Sequence, residues 1–104
     1  MEKSINDATT AELIVLECEA LKNLLIDKNT AYGDAVLQRG PLFNVDPVVG
    51  IQARINDKLR RIRNKGITDD TEDAIQDLMG YLIHLKIALL RKKNPQLPGG
   101  SLQQ

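Results

Sequence analysis

The sequence predicts an all-α fold: three main helices in a small bundle, completed by self-association. Three observations predict it. The apolar residues are mostly Leu, Ile, Val and Ala, with Phe43, Tyr32 and Tyr81 as the aromatics and no Trp, a composition suited to branched aliphatic side chains packed between helices. Apolar positions recur three and four residues apart along most of the chain, the spacing of one helical face. The residues between these stretches are the ones that start and stop helices.

Thr9-Thr10-Ala11-Glu12 opens the first helix, since a Thr followed three residues later by Glu can satisfy free amides reciprocally as a capping box. Leu13, Ile14, Leu21, Leu24 and Leu25 share its apolar face, Leu16 and Ile26 widen it, and Cys18 joins it as a small packed side chain. The pattern carries this helix to about residue 28, with room to continue toward 36. Gly33, Gly40 and Pro41 break the periodicity and predict a loop over residues 38–46, with Leu42 and Phe43 plugged against the helices. Asp46-Pro47 starts the second helix: Asp accepts amide hydrogen bonds at the N-cap, and Pro at the first position forfeits no useful donor. It runs over residues 47–64, and Gly66 supplies the conformation that closes it.

Thr68, Asp69 and Asp70 then form the cap and acidic first turn of a third helix. Ile75, Leu78, Met79, Leu82, Leu85 and Leu89 give it a broad apolar face, and Arg91, Lys92 and Lys93 complement its negative pole. Truncating Leu78 or Leu82 is expected to leave a costly core cavity, about 2 to 5 kcal/mol. The domain reading is a polar N-terminal segment over residues 1–8, one helical domain over 9–93 and a flexible tail over 94–104. The first and third helices are apolar around more than one face, which implies a homo-oligomer.

Several function classes are disfavoured. Fourteen basic residues balance fourteen acidic ones, so no net field draws a polyanion, and general nucleic-acid binding is not expected. No apolar run approaches the roughly 20 residues of a membrane span, and the first residues form no signal peptide, so a cytoplasmic location is expected. The single Cys18 offers neither an intramolecular disulfide nor a Cys/His zinc site.

One polar face stands out. On the second helix Arg54, Asp57, Lys58 and Arg61 fall at i, i+3, i+4 and i+7, while Ile51, Ile55, Leu59 and Ile62 occupy the apolar positions. Three cations around one carboxylate can hold a phosphate group; they can equally form a solvated, salt-bridged surface. On the third helix Asp73 and Asp77 lie one turn apart, with Gly80 and His84 on the same line. Two carboxylates so placed need a cation between them. Mg²⁺ would serve as a cofactor, and so would Arg54, Lys58 or Arg61 in a purely structural network. His84, the lone histidine, reads first as a packed or surface residue.

Lys28-Asn29 followed by Tyr32-Gly33, Gly50-Ile51 leading into Arg54-Ile55-Asn56-Asp57-Lys58-Leu59-Arg60-Arg61, and Glu72-Asp73 leading to Asp77-Leu78-Met79-Gly80-Tyr81 together resemble the nucleotide modification associated domain 1 family. The likeness spans about residues 25–85. It implies a small phage-type protein associated with nucleotides, with Asn29, Tyr32 and Gly33 approaching a site from the first helix, Arg54, Asp57, Lys58 and Arg61 from the second, and Asp73 and Asp77 from the third. In that arrangement Tyr32 would stack on a base while the cations hold phosphate. A looser likeness joins the stretch from Glu72 to Tyr81 to MazG-type all-α nucleoside triphosphate pyrophosphohydrolases, which hold Mg²⁺ on clustered acids. Glu12, Glu17 and Glu19 depart from that pattern, because they do not place the paired Glu and third Glu on one helical face. The leading expectation is therefore a protein that binds and sequesters a nucleotide or nucleotide-derived signal, possessing no catalytic residues and able to counter a host defence. A Mg²⁺-dependent hydrolase and a non-catalytic helical interaction module are the alternatives.

Overall fold

The computed structural model describes residues 5–33, 37–38 and 45–98. They form three α-helices, α1 (Thr10–Tyr32), α2 (Pro47–Lys65) and α3 (Glu72–Lys93), with single 3-10 turns at Ile5–Asp7 and Asp69–Thr71. No strand occurs among the described residues, and none of their helices is long and apolar enough to cross a membrane. The all-α prediction holds. The chain divides after Gly33 into two compact units.

The first unit is built on α1. Its start is the predicted capping box: the Thr9 hydroxyl accepts from the Glu12 amide at 3.1 Å, and the Glu12 carboxylate accepts from the Thr9 amide at 3.0 Å. The helix runs past residue 28 to Tyr32, and Gly33, at φ +63°, ends it in a region that a side chain would strain. Leu21 is buried and Leu13, Leu24 and Leu25 are half-buried, whereas Ile14, Val15, Leu16 and Ile26 are exposed. Cys18 is exposed too, which corrects its assignment to a packed face. The reason is local: every residue from 14 to 20 is exposed, so apolar spacing at this level of the helix does not translate into burial.

The second unit is a helical hairpin. At the head of α2, the Asp46 carboxylate accepts from the Val48 amide at 2.8 Å with Pro47 in the first turn, as Asp-Pro predicts. At its end, the Gly66 amide donates to the Ile62 carbonyl at 2.7 Å, and Gly66 sits at φ +80°. The reversal into α3 differs in detail from expectation. Asp69 and Asp70 belong to a 3-10 turn ahead of the helix, and the hydroxyl that closes this turn comes from Thr71. It accepts from the Thr68 amide at 3.0 Å and donates to the Thr68 carbonyl at 2.7 Å. Thr71 is nearly inaccessible to solvent, so both bonds are needed to satisfy a buried hydroxyl. Past α3, the Asn94 amide and side chain both donate to the Leu90 carbonyl, and Leu97 donates back to Asn94 in a turn. The expected docking of Leu42 and Phe43, and the tail beyond residue 98, lie outside the described residues.

Four cross-helix relations fix the direction of α3. Asp46 pairs with Lys92, Ile51 lies in one cluster with Ala88, Arg54 covers Tyr81, and Lys58 pairs with Asp77. As numbers rise along α2 they fall along α3, so the helices are antiparallel. Leu37, Ile51 and Ala88 form the buried centre, with Val48, Ile55, Tyr81, Leu85 and Ile87 packed against it. Ile51 has no accessible surface. Leu82, expected to be a core residue, is 45% exposed, because it faces away from α2.

Two truncations should therefore separate clearly in urea unfolding. Ile51→Ala is expected to cost about 2 to 5 kcal/mol, the range for a large-to-small change in a core. Leu82→Ala in dilute solution should cost under about 1 kcal/mol, close to a surface substitution.

Candidate functional site

The site grows from how α2 meets α3. Ile51, Ile55, Lys58 and Ile62 fall at i, i+4, i+7 and i+11, which is one line along a helix. Lys58 therefore lies among the isoleucines, and its side chain is only 15% exposed. Leu59, one residue on and 100° around the helix, is exposed. Periodicity and hydropathy place Leu59 on the apolar face and Lys58 with the solvated cations; the contact between the helices exchanges them. A lysine can occupy such a seam because its methylene stem is apolar and its charge sits at the tip.

That tip meets Asp77. Lys58 Nζ lies 3.1 Å from Asp77 Oδ2, and the Asp77 side chain is 36% exposed. One turn toward the start of α2, the Arg54 guanidinium lies over the Tyr81 ring, 5.8 Å from its centroid, within cation–π range. Asp77 and Tyr81 are themselves one turn apart on α3, so two consecutive turns of each helix contribute to a single polar seam. His84 continues the line: its Nδ1 lies 2.8 Å from the Gly80 carbonyl. If Nδ1 carries the proton and donates there, Nε2 is left as an acceptor. Gly80 is buried within α3.

The other predicted residues are placed differently. Asp57 does not sit at the centre of the three cations; its Oδ1 pairs with Arg60 Nη1 at 3.3 Å along the same helix, and both side chains are well exposed. The i, i+3 partner competes successfully because it is within reach without any tertiary contact. Arg61 and Asp73 are exposed, and neither forms an ion pair among the described residues. Asp73 and Asp77 are thus not bridged together by a cation: Lys58 takes Asp77 alone. No group of three or more His, Cys, Asp or Glu residues that could hold a metal ion occurs among the described residues. Asn29 and Gly33 lie at the end of α1 in the first unit, together with the backbone of Tyr32.

Tyr81 is the residue that the site assignment omitted. It belongs to the motif Asp77-Leu78-Met79-Gly80-Tyr81, but nothing in its local spacing says that an arginine from another helix will cover it. Gly50 carries a second signal. It lies one turn before Arg54, and a Cβ built there meets no atom within 4 Å. No packing among the described residues explains this glycine, which costs α2 about 1 kcal/mol relative to Ala.

No family model matches the chain, and no curated protein or solved structure is significantly similar to it.

A double-mutant cycle checks whether the seam contact is energetic. Lys58→Met, Asp77→Asn and their combination should give a coupling of about 1 kcal/mol in urea unfolding, at the upper end for partly exposed pairs. The same cycle on Asp57 and Arg60 should give at most about 0.5 kcal/mol, the usual value for an exposed pair on one helix.

Proposed function

We propose that this chain is a phage-type nucleotide-binding protein that sequesters a nucleotide or nucleotide-derived signal, working as a homo-oligomer in the cytoplasm. The observation that carries the proposal is the seam, where Arg54 lies over Tyr81 one turn from the Lys58–Asp77 pair. Arg54, Lys58 and Arg61 together outnumber Asp77, the one acid paired to this group across the helices among the described residues. An anionic ligand offsets such an excess. The guanidinium can grip phosphate oxygens in a fork, and the ring can meet a base by stacking. The vacant Cβ position at Gly50, one turn from Arg54, leaves room for a ligand at the same end of the seam.

The family resemblance supports the same reading, because the residues that carry it include Gly50, Arg54, Asp57, Lys58, Asp77 and Tyr81. Capture of a nucleotide signal would blunt a host defence that depends on it. In this reading Asp77 holds Lys58 in place in the free protein, and the lysine is the point charge that can turn toward phosphate. A Mg²⁺-dependent nucleotide hydrolase would need ligands besides Asp73 and Asp77, and bound phosphates and water are the natural ones.

A thermal-shift screen against nucleoside phosphates, cyclic oligonucleotides and NAD-derived compounds, with and without Mg²⁺, tests the proposal. A true ligand at 100 times its dissociation constant should stabilise the fold by about 2.7 kcal/mol and be recovered intact by chromatography. Arg54→Ala should weaken that ligand at least tenfold, about 1.4 kcal/mol, while lowering the stability of the free protein by no more than about 1 kcal/mol. Breakdown of the ligand that EDTA stops would instead identify a hydrolase, and no shift with any compound would leave the seam as a structural ion pair.

A further inference from the structure

We propose that the face of α3 turned away from α2 is the interface for a second copy of this chain, and that the two copies of α3 lie antiparallel about a two-fold axis. The face is apolar, and the described residues of its own unit leave it exposed. Met79, Leu82, Ile83, Leu89 and Leu90 are between 37% and 53% exposed, although α3 also gives Ala74, Tyr81, Leu85 and Ala88 to the burial within its own unit. They lie on one side of a 22-residue helix, a stripe about 17 Å long from Met79 to Leu90 at 1.5 Å per residue. Contiguous exposed apolar patches rimmed by polar residues mark interaction sites.

The occupant is identified by charge. The stripe is acidic at its beginning and basic at its end: of the acids in the first turn of α3 Glu72 lies on the side of Met79 and Leu90, and of the bases in the last turn Lys93 does. A second α3 laid parallel would set acid beside acid and base beside base. Laid antiparallel, with the centre between Leu82 and Ile83, it sets Glu72 beside the partner's Lys93, and Ile75 beside the partner's Leu90. Both contacts then occur twice, as an isologous interface requires. The helix dipoles oppose each other favourably in the same arrangement. Lys86, the charged residue within the stripe, can lay its stem along the apolar surface and extend its ammonium to the rim.

The inference gives the self-association proposed above a face and a symmetry, and it does not depend on nucleotide binding. Its test is the mass of the intact chain by light scattering and sedimentation as a function of concentration. The unmodified protein should form dimers at high concentration. Leu82→Arg should abolish them while the helical circular dichroism is kept, since Leu82 is half-exposed within the chain. Glu72→Lys and Lys93→Glu should each raise the dimer dissociation constant at least threefold, and the two together should restore it to within about twofold of the original. These exposed charges do not hold the fold, so the restoration can be read even if Leu82→Arg unfolds. A monomer at every concentration would overturn both this interface and the proposed self-association. A dimer indifferent to Leu82→Arg and to both charge reversals would overturn this interface alone.

Discussion

The antiparallel contact between α2 and α3 governs what the rest of the second unit can do. The short reversal through Gly66 and Thr71 turns the chain back on itself, and the Asp46–Lys92 pair joins the far end of the hairpin. Between those ends, Ile51 is excluded from water and sets the register of every other side chain along the contact. Once that register is fixed, Lys58 has to reach Asp77, and Arg54 has to lie over Tyr81. The polar seam is thus a consequence of apolar packing. Its charged groups could not be brought to these distances by helix propensity alone.

The same register leaves a partly desolvated cation at the centre of the seam. A lysine at 15% exposure is partly removed from water and has a single carboxylate opposite it. Taking away the carboxylate leaves a poorly solvated charge, which is more costly than losing an exposed ion pair. Supplying another anion, however, gives the lysine a second partner beside Arg54. The proposed site is thus held in position by the hairpin, with cations for which a ligand anion would compete. Arg60, Asp57 and the terminal Arg91, Lys92 and Lys93 are also charged, but they lie along exposed helix surface or complement a helix end.

The helix starts were legible because their chemistry is local. Thr9 to Glu12 and Asp46-Pro47 contain within four residues both the donor and the acceptor of each cap, and both were read correctly. Gly66 was legible for a similar reason, since a positive φ restricts residue type by itself. The assignment failed where two neighbouring residues compete for one tertiary surface. Periodicity permits either Lys58 or Leu59 to face α3, and hydropathy chooses Leu59, but the register of Ile51, Ile55 and Ile62 chooses Lys58. Cys18 and Leu82 were misassigned because apolar spacing gives the composition of a face without saying whether anything covers it. Tyr81 was missed as a site residue because its partner lies 27 positions earlier, on another helix. Leu37, buried beside Ile51, carries no periodic signal in a region dominated by glycine and proline. The residues that carry the family resemblance include those of the seam on α2 and α3, and a nucleotide is a matter of chemistry that no spacing specifies.

The central claim is that the seam holding the hairpin is also where an anionic ligand is received. The most direct measurement is a nuclear magnetic resonance titration of the labelled protein with the nucleotide that gives the largest thermal shift, following the Lys58 and Arg54 side chains and the Tyr81 ring. The account predicts saturable changes concentrated at Gly50, Arg54, Lys58, Asp77 and Tyr81, with the helical core signals around Ile51 unmoved. Saturation accompanied by changes elsewhere, with Arg54, Lys58 and Tyr81 silent, would contradict it.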